Sequence, residues 1–204
     1  MIELRPNDAR AHQTYGWYLN LMARYPEALI ELRTAQLLDP LSTNITIALG
    51  WVLVASGDPD RGLEELERIA TSQPAYGPGR ATLALALFAR GRLDDAVATT
   101  TRAPAPLDVV WDSTLGFLLG KAGRRAEAER ILARLSAPGD RPEAAYLVAA
   151  VSAGLGRTDD ALAWLNKAYD EHSPWIPWLK TDVQFDALRG DAGFKALLQR
   201  VKLD

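Results

Sequence analysis

The chain contains no cysteine and only two histidines, His12 and His172, among its 204 residues. The absence of cysteine excludes disulfides, thiolate zinc sites and cysteine nucleophiles. Neither histidine stands in a His-x3-His or Glu-x2-His spacing, the arrangements that place two metal ligands on one helix face. We therefore expect no metal site, and no other motif in the sequence indicates a cofactor.

The chain also lacks an excess of charge and a long apolar run. Its 23 basic and 26 acidic residues give a net charge of −3, so we expect no direct binding of nucleic acid by this region. The longest apolar stretches, near 45–55 and 81–89, are shorter than the roughly 20 residues that cross a bilayer. Residues 1–20 carry Arg5 and Asp8 instead of the continuous apolar core of a signal peptide. We expect a cytoplasmic protein with no membrane partner.

What the chain does have is a repeat of about 34 residues, a period typical of helical hairpins. Landmark residues recur at that distance in the first half of the chain, and glycines recur at 32 to 34 residues after it. The landmarks are Pro6, Pro40 and Pro74, Gly16 and Gly50, Trp17 and Trp51, and then Gly57, Gly91, Gly123 and Gly156. In such arrays each repeat buries its apolar face against the next.

Each repeat is predicted to be a pair of helices. The first helix shows apolar residues with a period near 3.6, as at Leu115, Leu118 and Leu119. A glycine turn follows, because glycine tolerates the left-handed conformation that ends a helix. The second helix opens with acidic residues such as Asp159 and Asp160, which stabilise the positive end of the helix dipole. Proline then ends the second helix.

The pattern resembles the tetratricopeptide repeat, whose consensus is Trp-x2-Leu-Gly-x2-Tyr, then Ala-x3-Phe, then Pro. The first repeat carries Gly16 in the glycine position, then Ala28-x3-Leu32, and closes with Pro40. The resemblance implies an all-α fold: a right-handed superhelix of antiparallel helix pairs with a C-terminal capping helix. The five predicted pairs span about 9–42, 43–76, 77–106, 107–140 and 141–173, the cap spans 174–204, and 1–8 is the end of a preceding repeat.

The N-terminal end departs from a whole number of repeats. Residues 1–6 align with residues 35–40, which form the end of a second helix and the proline after it. We therefore expect at least one further repeat before Met1 in the parent protein. The alternative is a natural start in which Asn7-Asp8 caps the first helix.

The stretch from Trp164 to Leu203 breaks the period and is predicted to cap the array. Phe194 and Leu197 belong to one apolar helical stripe, as expected of a terminal cap. The stretch also resembles the tails of bacterial winged-helix transcriptional regulators related to the acid-response regulator CadC, and of some serine/threonine kinases and adenylate cyclases. Where those tails have Asp-Pro, this chain has Asp182-Val183 and Asp191-Ala192. The resemblance implies a bacterial signalling or transcription-regulating parent, whose output domain lies outside these residues.

No catalytic constellation emerges from the sequence. His172 and Ser173 are adjacent residues, which seldom have the geometry of a catalytic triad. The glycines at 77–79 and 154–156 lack the Gly-x4-Gly-Lys-Ser/Thr pattern of a phosphate loop and mark helix boundaries instead. The paired acids recur at one position of the repeat, as expected for residues that open helices. We expect no enzyme activity.

The resemblance also predicts a binding groove, because the first helices of such repeats line the concave face of the superhelix. The predicted groove residues are Arg10, Gln13, Trp17, Asn20, Asn44, Ile47, Trp51, Ala81, Leu85, Phe88, Ser113, Phe117 and Tyr146. An apolar stripe with few polar groups suits a peptide or helix laid in the groove, and aromatic side chains are the usual anchors of such interfaces. The alternative is that these aromatic side chains only pack between neighbouring repeats.

The predicted function is a protein–protein interaction module that binds a peptide or helix in this groove. Chaperone-binding members of the family hold a terminal carboxylate with a clamp of Lys, Asn and Arg. Here Ile47, Trp51, Ala81 and Leu85 stand on the second and third groove helices, so a carboxylate ligand is disfavoured. The alternative function is self-association as a homodimer, driven by apolar surface left uncovered near Met1–Pro6.

Overall fold

A computed structural model of the protein describes residues 6–101, 109–137 and 143–203. Within these ranges every regular element is helical, which confirms the predicted all-α class. The chain divides into two compact units, Met1–Arg90 and Gly91–Asp204, and each is described by itself. The predicted boundaries at 106/107 and 140/141, and residues 1–5 of the preceding repeat, lie outside the described residues.

The first unit is a stack of antiparallel helices. Its helices are α1 (Ala9–Leu21), α2 (Tyr25–Leu38), α3 (Thr43–Ser56), α4 (Pro59–Ser72) and α5 (Gly77–Ala89). α1 pairs with α2 and α3 pairs with α4, while α3 also contacts α1, α2 and α5. The core of the first two pairs is built around Leu19, Leu32, Leu49, Val52 and Leu53.

Two glycines allow α3 and α4 to approach each other closely. A Cβ atom on Gly62 would lie 2.6 Å from the carbonyl oxygen of Gly50 and 2.8 Å from the backbone nitrogen of Val54. A Cβ atom on Gly50 would lie 2.8 Å from Cγ of Leu66. These distances are shorter than van der Waals contact, so the helix spacing depends on the missing side chains.

The turns within the pairs end the first helix in the same way. Gly123 has a φ of 74°, and the next residue, Arg124, donates its backbone N–H to the carbonyl of Leu119 at 2.9 Å. This left-handed closure is the one predicted for the recurring glycines. In the first pair Ala23 takes the same place with a φ of 56°, although the sequence has no glycine there.

The second unit repeats the paired arrangement and adds a terminal segment. Its helices are α6 (Leu93–Thr101), α7 (Val109–Lys121), α8 (Arg125–Leu135), α9 (Ala144–Gly154), α10 (Thr158–Asp170) and α11 (Ala192–Arg200), with 3-10 turns at Ile176–Trp178 and Val183–Leu188. α7 pairs with α8, α9 pairs with α10, and α7 packs against α9. Leu119, Ile131, Leu135, Val148 and Val151 form the core between these pairs.

The segment after α10 folds back onto the last helix pair. The 3-10 turn at Val183–Leu188 contacts α9, and α11 contacts α10. Asp191 caps α11 by accepting the backbone N–H of Gly193 at 2.7 Å. Phe185 and Phe194 are both 0% exposed, so this segment contributes two large aromatic rings to the core of the second unit.

Candidate binding surface

The predicted groove residues all lie on the first helix of a pair. In the first unit they are Arg10, Gln13, Trp17 and Asn20 on α1, Asn44, Ile47 and Trp51 on α3, and Ala81, Leu85 and Phe88 on α5. In the second unit they are Ser113 and Phe117 on α7 and Tyr146 on α9. Since α3 contacts both α1 and α5, the structure brings the first-unit residues onto neighbouring helices.

Seven of these residues offer surface to a ligand. The exposed members are Arg10 and Asn44, and the half-buried members are Gln13, Trp17, Trp51, Leu85 and Phe88. Trp17 and Trp51 pack against the core of the first two pairs while part of each side chain stays exposed. An indole held in this way on a rigid helix is a typical anchor for a partner side chain.

The other six residues are buried inside the two units. They are Asn20, Ile47, Ala81, Ser113, Phe117 and Tyr146. The hydroxyl of Ser113 donates to the carbonyl of Leu147 at 2.9 Å, which ties α7 to α9. In this structure these six side chains therefore serve packing and offer no surface to a ligand.

Asn20 is one of several buried side chains with a polar atom that makes no hydrogen bond among the described residues. The residue is 0% exposed, and neither its Nδ2 nor its Oδ1 makes a hydrogen bond within the part of the chain that the structure describes. An unpaired buried polar group costs about 1–3 kcal/mol. Asn20 lies one helical turn after Trp17, so an unsatisfied donor and acceptor stand beside a half-buried aromatic ring.

Two hydrogen bonds that the sequence did not predict lie at the edge of this surface. The hydroxyl of Tyr76 donates to Oδ1 of Asn44 at 2.5 Å, and Nε2 of Gln73 donates to Oγ1 of Thr43 at 2.7 Å. These bonds tie the start of α3 to the residues that precede α5. The spacing of about one repeat between the partners is the only signal in the sequence that points to such contacts.

Comparison with known proteins identifies the repeat. Two tetratricopeptide-repeat family models match, one at residues 53–109 and the other at residues 114–174, and together they cover more than half of the chain. The chain belongs to the tetratricopeptide-repeat (TPR) proteins. TPR proteins generally mediate protein–protein interactions and are typically non-catalytic.

Solved TPR structures share the fold of this chain. A thermophilic TPR protein of Thermus thermophilus is 22% identical, with a TM-score of 0.64 over 94% of this chain and 99% of that chain. The pilF protein of Pseudomonas aeruginosa is 16% identical, with a TM-score of 0.56 over 95% of this chain and 90% of that one. No curated protein matches. At these identities the likeness shows the fold alone.

The first TPR carries a histidine where the TPR consensus has tryptophan. His12 is 7% exposed, its Nδ1 lies 2.6 Å from Oε2 of Glu31, and its Nε2 lies 2.9 Å from the carbonyl oxygen of Pro6. Both partner atoms only accept hydrogen bonds, so the doubly protonated imidazolium satisfies both. The hydrogen bond to Glu31 raises the pKa of His12, and the bond to Pro6 adds to the effect.

The last TPR is tied to the terminal segment by a buried tyrosine. The hydroxyl of Tyr146 donates to Oδ2 of Asp182 at 2.8 Å, and Oδ1 of Asp182 accepts the backbone N–H of Gln184 at 2.9 Å. Burial raises the pKa of the Asp182 carboxyl to about 6, although both hydrogen bonds favour its ionised form. Tyr146 is thus a structural link in the second unit.

Two further classes of feature are missing from the part of the chain that the structure describes. No group of three His, Cys, Asp or Glu side chains is arranged to hold a metal ion. No described helix is both long enough and apolar enough to cross a membrane.

Proposed function

We propose that the first unit binds a peptide or helix of a partner protein across α1 and α3. The observation that carries this proposal is the pair of half-buried indoles, Trp17 and Trp51, which stand one repeat apart on neighbouring helices. A ligand segment lying across both helices would bury the exposed parts of the two rings. Aromatic anchors of this kind dominate the energy of many interfaces.

Polar groups around the two indoles would orient the bound ligand. Arg10 and Asn44 are exposed at the starts of α1 and α3 and suit side-chain contacts with the ligand. The unpaired carboxamide of Asn20 matches the one donor and one acceptor of a peptide unit. Because Asn20 is fully buried in the unbound chain, this contact requires a rearrangement of the side chains that cover it on binding.

A peptide-array screen followed by titration tests the proposal. A peptide selected on the array is titrated into the wild-type chain and into Trp17→Ala, Trp51→Ala and the matched control Tyr18→Ala. Tyr18 is an aromatic residue of α1 that is 51% exposed and lies outside the proposed surface. Each tryptophan variant is expected to weaken binding about tenfold or more, and the control to leave it unchanged. Full binding by both tryptophan variants would reject the surface.

We also propose that this module belongs to a bacterial signalling or transcription-regulating protein. The support is the resemblance of the C-terminal segment to the tails of CadC-related regulators, given by its Ser173-Pro174-Trp175 and Phe185-Asp186 sequences. In that setting the TPRs would receive a partner signal for an output domain in the same polypeptide. Reading the coding sequence on both sides of these residues tests this, and the absence of any output domain there would reject it.

Self-association is a second candidate function, favoured by an exposed pair of tyrosines. The rings of Tyr15 and Tyr18 stack on α1 with centroids 6.0 Å apart, and the residues are 39% and 51% exposed. A second copy packed on this face would bury both rings. Light scattering over a range of concentrations tests this: a dimer that Tyr18→Ser abolishes supports it, and a monomer throughout rejects it.

A further inference from the structure

A second surface lies on the other helices of the first two TPRs. α2 and α4 flank a cavity of about 310 Å³ above α3. Its lining residues are Arg33, Gln36, Leu37, Leu49, Leu53, Arg61, Glu64 and Glu65. Leu49 and Leu53 come from α3 and are buried, so the cavity has an apolar floor between two helices. None of these residues belongs to the surface proposed above.

The α2 side of the cavity presents an exposed leucine, Leu37, beside the polar lining residues Arg33 and Gln36. Leu37 is 84% exposed, Leu41 is 92% exposed and Ile30 is 64% exposed. Ile30 and Leu37 are seven residues apart, which places them on one stripe of α2, and Leu41 lies in the turn after the helix ends. A single exposed leucine is ordinary, but this stripe and the turn after it carry three large exposed apolar side chains and reach the cavity at Leu37.

The wall formed by α4 is acidic. Glu64 lines the cavity, and Asp60 and Glu67 lie about one turn before and after it on the same stripe of α4; all three are exposed. None of the three makes an ion pair within the residues that the structure describes, whereas the neighbouring Glu65 pairs with Arg68 at 2.6 Å. Among the lining residues Arg33 and Arg61 balance Glu64 and Glu65, so the negative excess of α4, with four acidic and two basic residues, comes from Asp60 and Glu67 beside the cavity.

We propose that this groove binds an amphipathic helix of another protein, with leucine-type side chains on one face and lysine or arginine along the adjoining edge. The apolar face would cover Ile30, Leu37 and Leu41 and reach the cavity floor, as in other helix-in-groove complexes. The basic edge would lie beside the unpaired carboxylates of α4, which gives the complex its orientation. Although its floor comes from α3, this site shares no residue with the surface proposed across α1 and α3.

The test uses synthetic peptides and the complete chain. The probe is a leucine/lysine peptide of about 18 residues, or five helical turns, with the leucines on one face. A scrambled peptide of equal composition controls for non-specific charge attraction, and a leucine/glutamate peptide with the same pattern controls for the sign of the charge. Isothermal titration calorimetry measures binding of each peptide.

The binding variants are chosen on exposed positions so that folding is preserved. Leu37→Asp is expected to weaken the leucine/lysine peptide about tenfold or more, because it removes an apolar contact at the centre of the patch. Glu64→Lys with Glu67→Lys is expected to weaken it similarly and to admit the leucine/glutamate peptide. The matched charge control is Asp159→Lys with Asp160→Lys on the exposed start of α10, which is expected to change nothing.

Four results would overturn the proposal. The first is equal binding of the scrambled peptide, and the second is unchanged binding by Leu37→Asp. The third is a concentration-dependent dimer of the wild-type chain that Leu37→Asp converts to a monomer, since a second copy would then cover the patch. Loss of peptide binding in Trp17→Ala alone would also overturn it, because the peptide would then lie on α1 and α3.

Discussion

Large apolar side chains reach solvent on α1 and α2, whereas those of the C-terminal segment are enclosed. Among the described residues, the exposed large hydrophobic side chains are Tyr15, Tyr18, Ile30, Leu37, Leu38 and Leu41. All of them belong to the first helix pair or to the turn that follows it. At the other end Phe185 and Phe194 are 0% exposed and Tyr146 is 2% exposed.

The enclosed end owes its burial to a cluster of aromatic rings. Tyr146 meets Phe185 edge to face, with ring centroids 5.3 Å apart, and Phe185 lies 6.4 Å from Phe194. Trp175 stacks on Tyr146 at 6.4 Å. The last TPR therefore has a cover that replaces the missing next repeat. The first pair has no such cover within the described residues, and its bare surfaces are where partner binding is proposed.

The largest change in the free energy of unfolding is expected from removing one ring of the C-terminal aromatic cluster. Phe194→Ala should lower the free energy of unfolding by about 3–5 kcal/mol, because it leaves a cavity in a fully buried site. Tyr15→Ala, on the bare helix pair, should change it by less than about 0.5 kcal/mol. Urea unfolding followed by circular dichroism measures the unfolding free energy of both variants. Equal losses of stability would show that the two ends do not differ in how far these aromatic rings contribute to the core.

A second test asks whether the bare helix pair is nevertheless tightly packed inside. A Cβ atom on Gly16 would lie 2.7 Å from Cγ of Leu32, so Gly16→Leu should overpack α1 against α2 and cost about 1–3 kcal/mol or more. The matched control is Gly190→Leu, where no atom lies within 4 Å of the added Cβ. A variant with an unchanged melting temperature would mean that α1 and α2 are loosely held.

The two ends should also respond to pH in different ranges. The pKa of Asp182 is raised to about 6 from a usual value of 3.8, so the folded state holds its proton more tightly than the unfolded state. Its contribution to stability is complete below pH 3.8 and is lost as the pH rises through about 6. Asp182→Asn should therefore gain stability relative to wild type between pH 4 and pH 7. Urea midpoints measured across this range that differ by a constant amount would contradict the assignment.

At the N-terminal end the contribution of His12 to stability is also lost as the pH rises, but at a higher pH. The pKa of His12 is raised above 6.5, so its stabilising contribution is present below pH 6.5 and is lost as the pH rises through the folded-state pKa. The difference in unfolding free energy between wild type and His12→Gln should shrink as the solution becomes alkaline. His172→Gln, in an exposed turn, is the control. A difference that does not vary with pH would show that the contacts to Glu31 and Pro6 do not depend on the imidazolium.

Much of the helix arrangement follows from short-range features of the sequence. The period of 34 residues and the turn glycines predict paired helices, because each turn is a local closure such as the one at Gly123. The left-handed conformation of Ala23 was not predicted, because alanine, unlike glycine, gives no signal for it in the sequence. The hydrogen bond between Tyr146 and Asp182 was not predicted either, since it joins side chains 36 residues apart on different elements.

The candidate surface was harder to predict than the fold. The resemblance to TPR proteins assigned Trp17, Ile47 and Phe117 to the groove sides of their helices, but it does not tell how closely the next helix approaches each of them. Trp17 keeps part of its surface, whereas Ile47 is 7% exposed and Phe117 is 0% exposed. Depth of burial depends on the spacing between helices. A Cβ atom on Gly79 would lie 3.4 Å from Cδ1 of Ile47, and one on Gly154 would lie 2.7 Å from Cα of Phe117, so small residues on the next helix allow this close approach.

The proposed role of this TPR chain is to bind a partner segment through Trp17 and Trp51. The decisive experiment is calorimetric titration of an array-selected peptide into the Trp17→Ala/Trp51→Ala double variant, with Tyr18→Ala as the reference. The double variant is expected to lose at least about tenfold in affinity, while Tyr18→Ala binds as tightly as wild type. Equal affinity of all three proteins for the peptide would contradict it.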